Sequence, residues 1–330
     1  MWRPRSLRVR YTLRALFVFI TLFMLWGGYH TNRGWKEREA ERILGRHHSG
    51  CGYGPKKVGS GWISELRFAY LKLVQLVWRE RFITQAMVNA PPEGEVLDAI
   101  LALPHLEGLS LNPAPSTKEE QELYAEKRIV EAKDKMPAGA LERIIARRPL
   151  RVLELTTWIL SDDDCRAIAE CQSLEYLGLF GSQCSEEALA KLVTLPRLRH
   201  LRMSHCPVTG AGLASVPGSH SLQVIDCPHA PVGREFAAFV GRSPAVTTLT
   251  VWSDSVADDF VAALGSHPSL CHLTLISPCL TDRSALTLQQ LPSLQRVAIG
   301  PGTVAKLPDG FVTSAAKDRL RAAKPGLVVQ

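Results

Sequence analysis

A 24-residue period runs through residues 150–304 and leaves the chain few folds to choose from. Units open at Leu150, Leu174, Leu198, Leu222, Val246, Leu270 and Leu294. Their fourth positions read Leu153, Leu177, Leu201, Ile225, Leu249, Leu273 and Val297. Their sixth read Leu155, Leu179, Met203, Cys227, Val251, Leu275 and Ile299. Further apolar columns run through Leu160, Cys184, Val208, Val232, Val256, Leu280 and Val304, and through Ile168, Leu192, Val216, Val240 and Leu264.

The fourth and sixth positions alternate, so they share one side of a short strand. A helix start follows. Ser161, Ser185, Thr209 and Thr281 are N-cap types, and three of the four precede Asp or Glu. Apolar residues at helical spacing come next, and Pro196, Pro244, Pro268 and Pro292 close the units. A single strand-turn-helix unit cannot bury its own apolar face. Stacked units can, which predicts an α/β solenoid with parallel strands on its concave face and short helices on its convex face.

"LRHLRMSHCPVTGAGLASV", beginning at Leu198, resembles a leucine-rich repeat of the cysteine-containing, ribonuclease-inhibitor-like type. "LEYLGLFGSQCSEEALAKL" and "LCHLTLISPCLTDRSALTL" fit the same frame, and the resemblance covers about Leu103 to Ile299. It implies a solenoid that binds protein. At the pattern's cysteine column only Cys206 conforms; Trp158, Ser182, Ala230, Asp254 and Pro278 replace it elsewhere, so the side-chain ladder of that column is expected to be incomplete. Of the eight cysteines, most fall on repeat columns and read as buried packing. No C-x-x-C pair supports zinc, and no spacing demands a disulfide.

The net charge of +7 belongs to the N-terminus: residues 1–50 hold ten Lys or Arg against three Asp or Glu, and the rest hold 29 of each sign. A neutral solenoid offers no electrostatic footprint for nucleic acid. Residues 1–14 form a basic segment, and Ala15 to Asn32 lack any Lys, Arg, Asp or Glu. As a helix these 18 residues span about 27 Å, a bilayer core, so residues 15–32 read as one transmembrane signal-anchor. A cleaved signal peptide is the alternative, though "LWGGYHTN" lacks its small-residue exit. The arginine bias puts the N-terminus in the cytoplasm and the repeats outside it. Thr12-Leu13-Arg14, the run ending Trp26-Gly27-Gly28-Tyr29, and "NRGWKEREAERI" also resemble bacterial membrane-anchored leucine-rich-repeat proteins.

Residues 33–61 read as a charged helix leading away from the membrane, then a glycine-rich linker from Gly45 to Gly61. His47, His48 and Cys51 in that linker lack a fourth metal ligand. Residues 62–102 are expected to hold an N-terminal cap, with a surface-lying membrane helix as the alternative for Trp62 to Phe82, and a degenerate first strand at Ile83, Ala86 and Val88. Residues 103–304 form the repeats, with a charged insertion at 112–137 that is either a binding loop or a solvated excursion. Residues 305–330 read as a C-terminal cap, with a helix from Ser314 to Ala323.

No nucleophile motif, phosphate loop or H-E-x-x-H occurs. "SDDDC" at Ser161–Cys165 is helix N-terminal chemistry, and His200, His205, His220, His229, His267 and His272 look scattered. The expected function is a non-enzymatic, membrane-anchored protein-binding module without cofactor or metal. A structural envelope component, or an enzyme using the insert or the Cys51 region, is the alternative. Third, fifth and seventh positions point outward from the sheet, and among them Tyr176, Phe180, His200, Arg202, Asp226, Trp252 and His272 are the candidate protein-binding residues. Phe180 and Trp252, at strand ends, could instead tuck under neighbouring loops.

Overall fold

A computed structural model describes residues 35–46, 50–53, 83–113, 132–302 and 311–330. Eleven strands make one sheet: β1 (Gly50–Tyr53), β2 (Ile83–Val88), β3 (Gly108–Leu111), β5 (Val152–Thr156), β7 (Tyr176–Phe180), β8 (His200–Ser204), β9 (Val224–Pro228), β10 (Thr248–Trp252), β11 (His272–Ile276), β12 (Arg296–Gly300) and β13 (Val328–Val329), in that spatial order. All neighbours from β2 to β13 are parallel. Leu153, Leu177, Leu201 and Ile225 are register partners in succession, each 24 residues from the last. The sequence period is therefore the rung spacing of the sheet.

The apolar columns are the core. Leu150, Leu174, Leu198, Leu153, Leu177, Leu201, Leu155 and Met203 have no exposed surface. Among the described residues of its column, Cys184 alone is only partly buried. Opposite the sheet lie α2 (Gly94–Ala102), α3 (Ala140–Arg147), α4 (Asp162–Glu170), α5 (Glu186–Leu192), a 3-10 turn at Ala211–Leu213, α6 (Arg234–Gly241), α7 (Asp258–Ala263) and α8 (Asp282–Leu288). Strands stack about 4.8 Å apart while packed helices need about 8–10 Å, so the sheet must line the inside of the curve.

The acids at the helix starts do more than answer their own dipole. Ser161 and Asp164 form a capping box in α4. Asp162 then accepts from Ser185 Oγ, Asp258 from Thr281, and Asp282 from Thr313, each the cap of the next helix. Glu186 accepts from the backbone of Thr209, Gly210 and Gly212. One column of carboxylates thus links successive units.

The unit at 198–221 departs from the expected helix and makes only one 3-10 turn. A Cβ on Gly212 would lie 2.3 Å from the Glu186 carbonyl oxygen, and one on Gly218, at φ +110, 2.2 Å from that of Arg242. The glycines let neighbouring units close in, and Arg242 donates to the carbonyls of Leu213, Ala214 and Val216 that a longer helix would satisfy itself.

The cysteine column is satisfied over three rungs by three chemistries. Trp158 Nε1 donates to the Leu111 carbonyl at 2.9 Å, Ser182 Oγ to Leu155 at 3.0 Å, and Cys206 Sγ to Leu179 at 3.1 Å. Ala230 cannot continue the series.

Residues 35–46 are helical (α1) and do not lead away: Ala40 and Leu44 are buried in the core. Gly50–Tyr53, expected in a linker, pairs antiparallel with β2 and ends the parallel series. Ile83, Ala86 and Val88 are buried on β2, which is the degenerate first strand. At the other end α9 (Ser314–Ala323) buries Ala316 and Leu320, and β13 closes the sheet. Asp134–Lys135 (β4) pairs with Trp158–Ile159 (β6) in a two-stranded sheet. The apolar run 15–32, the segment 62–82 and insert residues 114–131 lie outside the described residues. Among the described residues no helix is long and apolar enough to cross a membrane.

Candidate functional site

Because side chains alternate along a strand, burying the fourth and sixth positions turns the third, fifth and seventh to the concave face. Most of these are half-buried, and Arg202 is exposed. Gly178 and Ser204 are corrections: both are buried. The Tyr176 side chain covers Gly178, where a Cβ would meet Tyr176 Cε1 at 3.1 Å. Ser204 pairs in register with Phe180.

A polar network crosses five strands. The Tyr176 phenol is flanked by Glu154 and Arg202, and both act on it electrostatically. Its ring meets that of His200 edge-on, centroids 4.7 Å apart. His200 Nε2 lies 2.9 Å from Asp226 Oδ2, and Thr250 on the next strand also favours the Asp226 carboxylate. Burial, then the Glu154 charge, pushes the Tyr176 phenol up; the His200 hydrogen bond holds Asp226 below the usual carboxylate range. The fork of charges fixes ring orientations that a flexible surface would lose.

A second row runs along the end of the strands. The Phe180 and His205 rings are 5.4 Å apart, His205 and His229 stack at 4.4 Å with 14° between planes, and His229 and Trp252 follow at 4.4 Å. His205 and His229 adopt left-handed backbone, at φ 55 and 59, where Gly181 sits one rung earlier. That turn points their N–H groups at the carbonyls of Pro228 and Trp252 on the next strand. Phe180 and Trp252 thus pack against the imidazoles of the loop residues that follow β8 and β9.

Tyr176, His200, Arg202 and Asp226 come together in the first network, Phe180 and Trp252 in the second. His272 lies on the same face between Thr248 and Arg296 and joins neither network among the described residues. The sequence places Glu154 and Thr250 on the outward face without marking them as contacts, and it does not single out His205 and His229. His205 and His229 are not scattered: the 24-residue gap between them was the available signal, since it puts them on adjacent rungs. His267 is structural, buried, with Nε2 on the Ser243 carbonyl and Nδ1 accepting from Ser269 and Leu270.

Among the described residues no group of three or more His, Cys, Asp or Glu is arranged to hold a metal. Cys165, Cys171, Cys184, Cys206, Cys227, Cys271 and Cys279 are free. Burial pushes the Cys165 thiol up to about 12 and that of Cys184 to about 11, so neither is a ready nucleophile. An open cleft of about 330 Å³ on the helix side is lined by Glu142, Asp163, Asp164, Arg166 and Glu170, and Asp164 is already spent on its capping box.

The parallel register at 24 residues, the buried leucine columns and the donors of the cysteine column decide the architecture together. The fold is a leucine-rich-repeat solenoid. No protein-family model matches the chain, and no curated protein matches it. Among solved structures the chain is similar to internalin C2 of Listeria monocytogenes, at 19% identity over 66% of this chain and 80% of that one, TM-score 0.43. It is also similar to an internalin (inlF) of the same organism, at 14% identity over 75% and 86%, TM-score 0.31. The APL1 leucine-rich-repeat domain is similar at 12% identity over 73% and 70%, TM-score 0.31.

Proposed function

We propose that this leucine-rich-repeat chain is a membrane-anchored module that binds another protein on its concave face. The observation that carries the reading is the pair of pre-arranged networks there, Glu154–Tyr176–Arg202 with His200–Asp226–Thr250, and Phe180–His205–His229–Trp252. Tyr, Trp and Arg are the types that dominate binding energy, and here their rotamers are held by neighbours, which lowers the entropy lost on association. Tyr176, Phe180, His200, Arg202, Asp226, Trp252 and His272 are the proposed contact residues. The role is binding rather than catalysis.

Anchoring rests on the apolar run 15–32 and the arginines before it, with the N-terminus cytoplasmic and the repeats across the membrane. Membranes bearing the full-length chain, washed with alkaline carbonate, should retain it. A soluble product lacking about the first thirty residues would point to a cleaved leader. Crosslinking in those membranes should capture a partner with the wild-type chain and not with a Tyr176→Ala, Arg202→Ala double variant. Equal capture by both would place binding elsewhere.

A further inference from the structure

The histidine stack poses a problem that packing alone does not answer. Left-handed backbone at a non-glycine residue costs about 1–2 kcal/mol, and this column of the chain accepts it at Thr157, His205 and His229. Gly181 shows that glycine fits the same turn. The imidazoles thus occupy positions where their side chains, not backbone ease, are the gain.

Their ring faces are used up, by one another and by Phe180 and Trp252. Their ring edges are not: among the described residues, no protein hydrogen bond reaches a nitrogen of either ring. His205 is half-buried and His229 exposed, so the edges are open to a partner. The charged groups of the adjoining strands are turned elsewhere. His200 pairs with Asp226, Arg202 flanks Tyr176, and Thr250 also favours the Asp226 carboxylate. Glu154 flanks Tyr176, and Asp254, past Trp252, is exposed. The charged group that acts on His205 is His229 itself. The row is a donor-rich strip with no carboxylate of its own.

We infer that the Phe180–His205–His229–Trp252 row is the recognition strip for a partner-protein segment that presents an Asp or Glu side chain to the two imidazole edges, and that this binding takes up a proton. The inference rests on the concave-face reading above and names the chemistry of its partner. A neutral imidazole offers one donor; a protonated one offers two and a charge, which strengthens each bond to a carboxylate. Rings 4.4 Å apart disfavour two like charges, so the pair takes up one proton, not two, when a carboxylate arrives. Burial and the His229 ring both hold His205 below the ordinary imidazole range, so the free His205 ring is uncharged at neutral pH. A carboxylate reverses this, and affinity should rise as pH falls. Phe180 and Trp252 supply the apolar walls that exclude water from the ion pair.

The test uses the immobilised full-length chain and a displayed library of peptides about twelve residues long, selected at about pH 5.5. The variant is His205→Asn with His229→Asn, because Asn also tolerates left-handed backbone and keeps the turn while removing both titrating rings. A thermal melt close to wild type establishes that it is folded. Selected peptides should be enriched in Asp or Glu. They should bind wild type at least about tenfold more tightly at pH 5.5 than at pH 7.5, as one linked proton requires, and the variant should lose that ratio. Peptides without acidic enrichment that still depend on Tyr176 and Arg202 would overturn the inference and leave the concave-face reading standing. An unchanged pH ratio in the variant would do the same. Selection of no peptide that depends on any concave residue would overturn both.

Discussion

Glu186→Ala tests whether successive units are tied by carboxylates or merely stacked. Glu186 Oε1 accepts from Thr209 N at 2.7 Å, Thr209 Oγ1 at 2.8 Å and Gly210 N at 3.2 Å, and Oε2 from Gly212 N at 3.2 Å. The 3-10 turn at Ala211–Leu213 has no side-chain cap on its N-cap residue Gly210, so the preceding unit supplies the acceptor. Losing an N-cap costs about 0.5–2 kcal/mol, and three backbone donors lost together set the cost near the top of that range, about 2 kcal/mol. Water reaches the exposed Thr209 and limits it. Amide exchange at Thr209, Gly210 and Gly212 should accelerate about thirtyfold at neutral pH, the equivalent of that cost. Burial raises the Glu186 pKa, but the Thr209, Gly212 and Gly210 hydrogen bonds outweigh it and leave it below the ordinary carboxylate value. A depressed folded pKa stabilises above the unfolded value of about 4.3 and is lost as pH falls through the folded one. The difference between wild type and variant should therefore be full at neutral pH and fade in acid below that window. Equal exchange in both proteins at neutral pH, or a difference that persists unchanged in strong acid, would refute the carboxylate tie.

Three further outcomes follow from packing. Leu201→Ala removes a fully buried side chain held in register between Leu177 and Ile225, and should cost about 2–5 kcal/mol in urea unfolding; a loss under about 0.5 kcal/mol would put Leu201 on the surface. Gly218→Ala drives a Cβ onto the Arg242 carbonyl and should destabilise by about 2–5 kcal/mol, whereas Gly265→Ala, at φ +60 with open space around it, should cost only about 1–2 kcal/mol of backbone strain; equal losses would mean that the close approach is absent. Trp158→Phe leaves the Leu111 carbonyl without its indole donor and should lose about 1–3 kcal/mol in the same assay, with no loss expected if the ladder is ornamental.

The sheet was legible because its period is also its register. A residue and its counterpart 24 positions on must be neighbours if units stack, so the buried columns and the outward positions could be named from spacing alone. Side-chain interplay within that frame was harder. Nothing in "YLGLF" says that Tyr176 covers Gly178, which depends on the ring's rotamer and on Glu154 one rung away. His205 and His229 escaped because they follow the strand, where alternation ends and a left-handed turn redirects the side chain along the row. The helical residues 35–46 read as solvated from their charges; Ala40 and Leu44, four apart, are the short apolar stripe that seats the helix on the core. At the carboxylate column the dipole argument found the right residues, and only the stacking revealed that they cap their neighbours.

The most direct measurement is the affinity of one purified partner for a matched set of full-length variants. Tyr176→Ala, Phe180→Ala, Arg202→Ala and Trp252→Ala probe the concave face, and Leu286→Ala, on an exposed large apolar residue of α8, is the control on the helix side. With folding verified for each, at least one concave variant should weaken binding by about 2 kcal/mol or more, roughly thirtyfold, while Leu286→Ala stays within about twofold of wild type. Four concave variants that bind like wild type, with loss confined to Leu286→Ala, would contradict the assignment and move the binding surface to the helices.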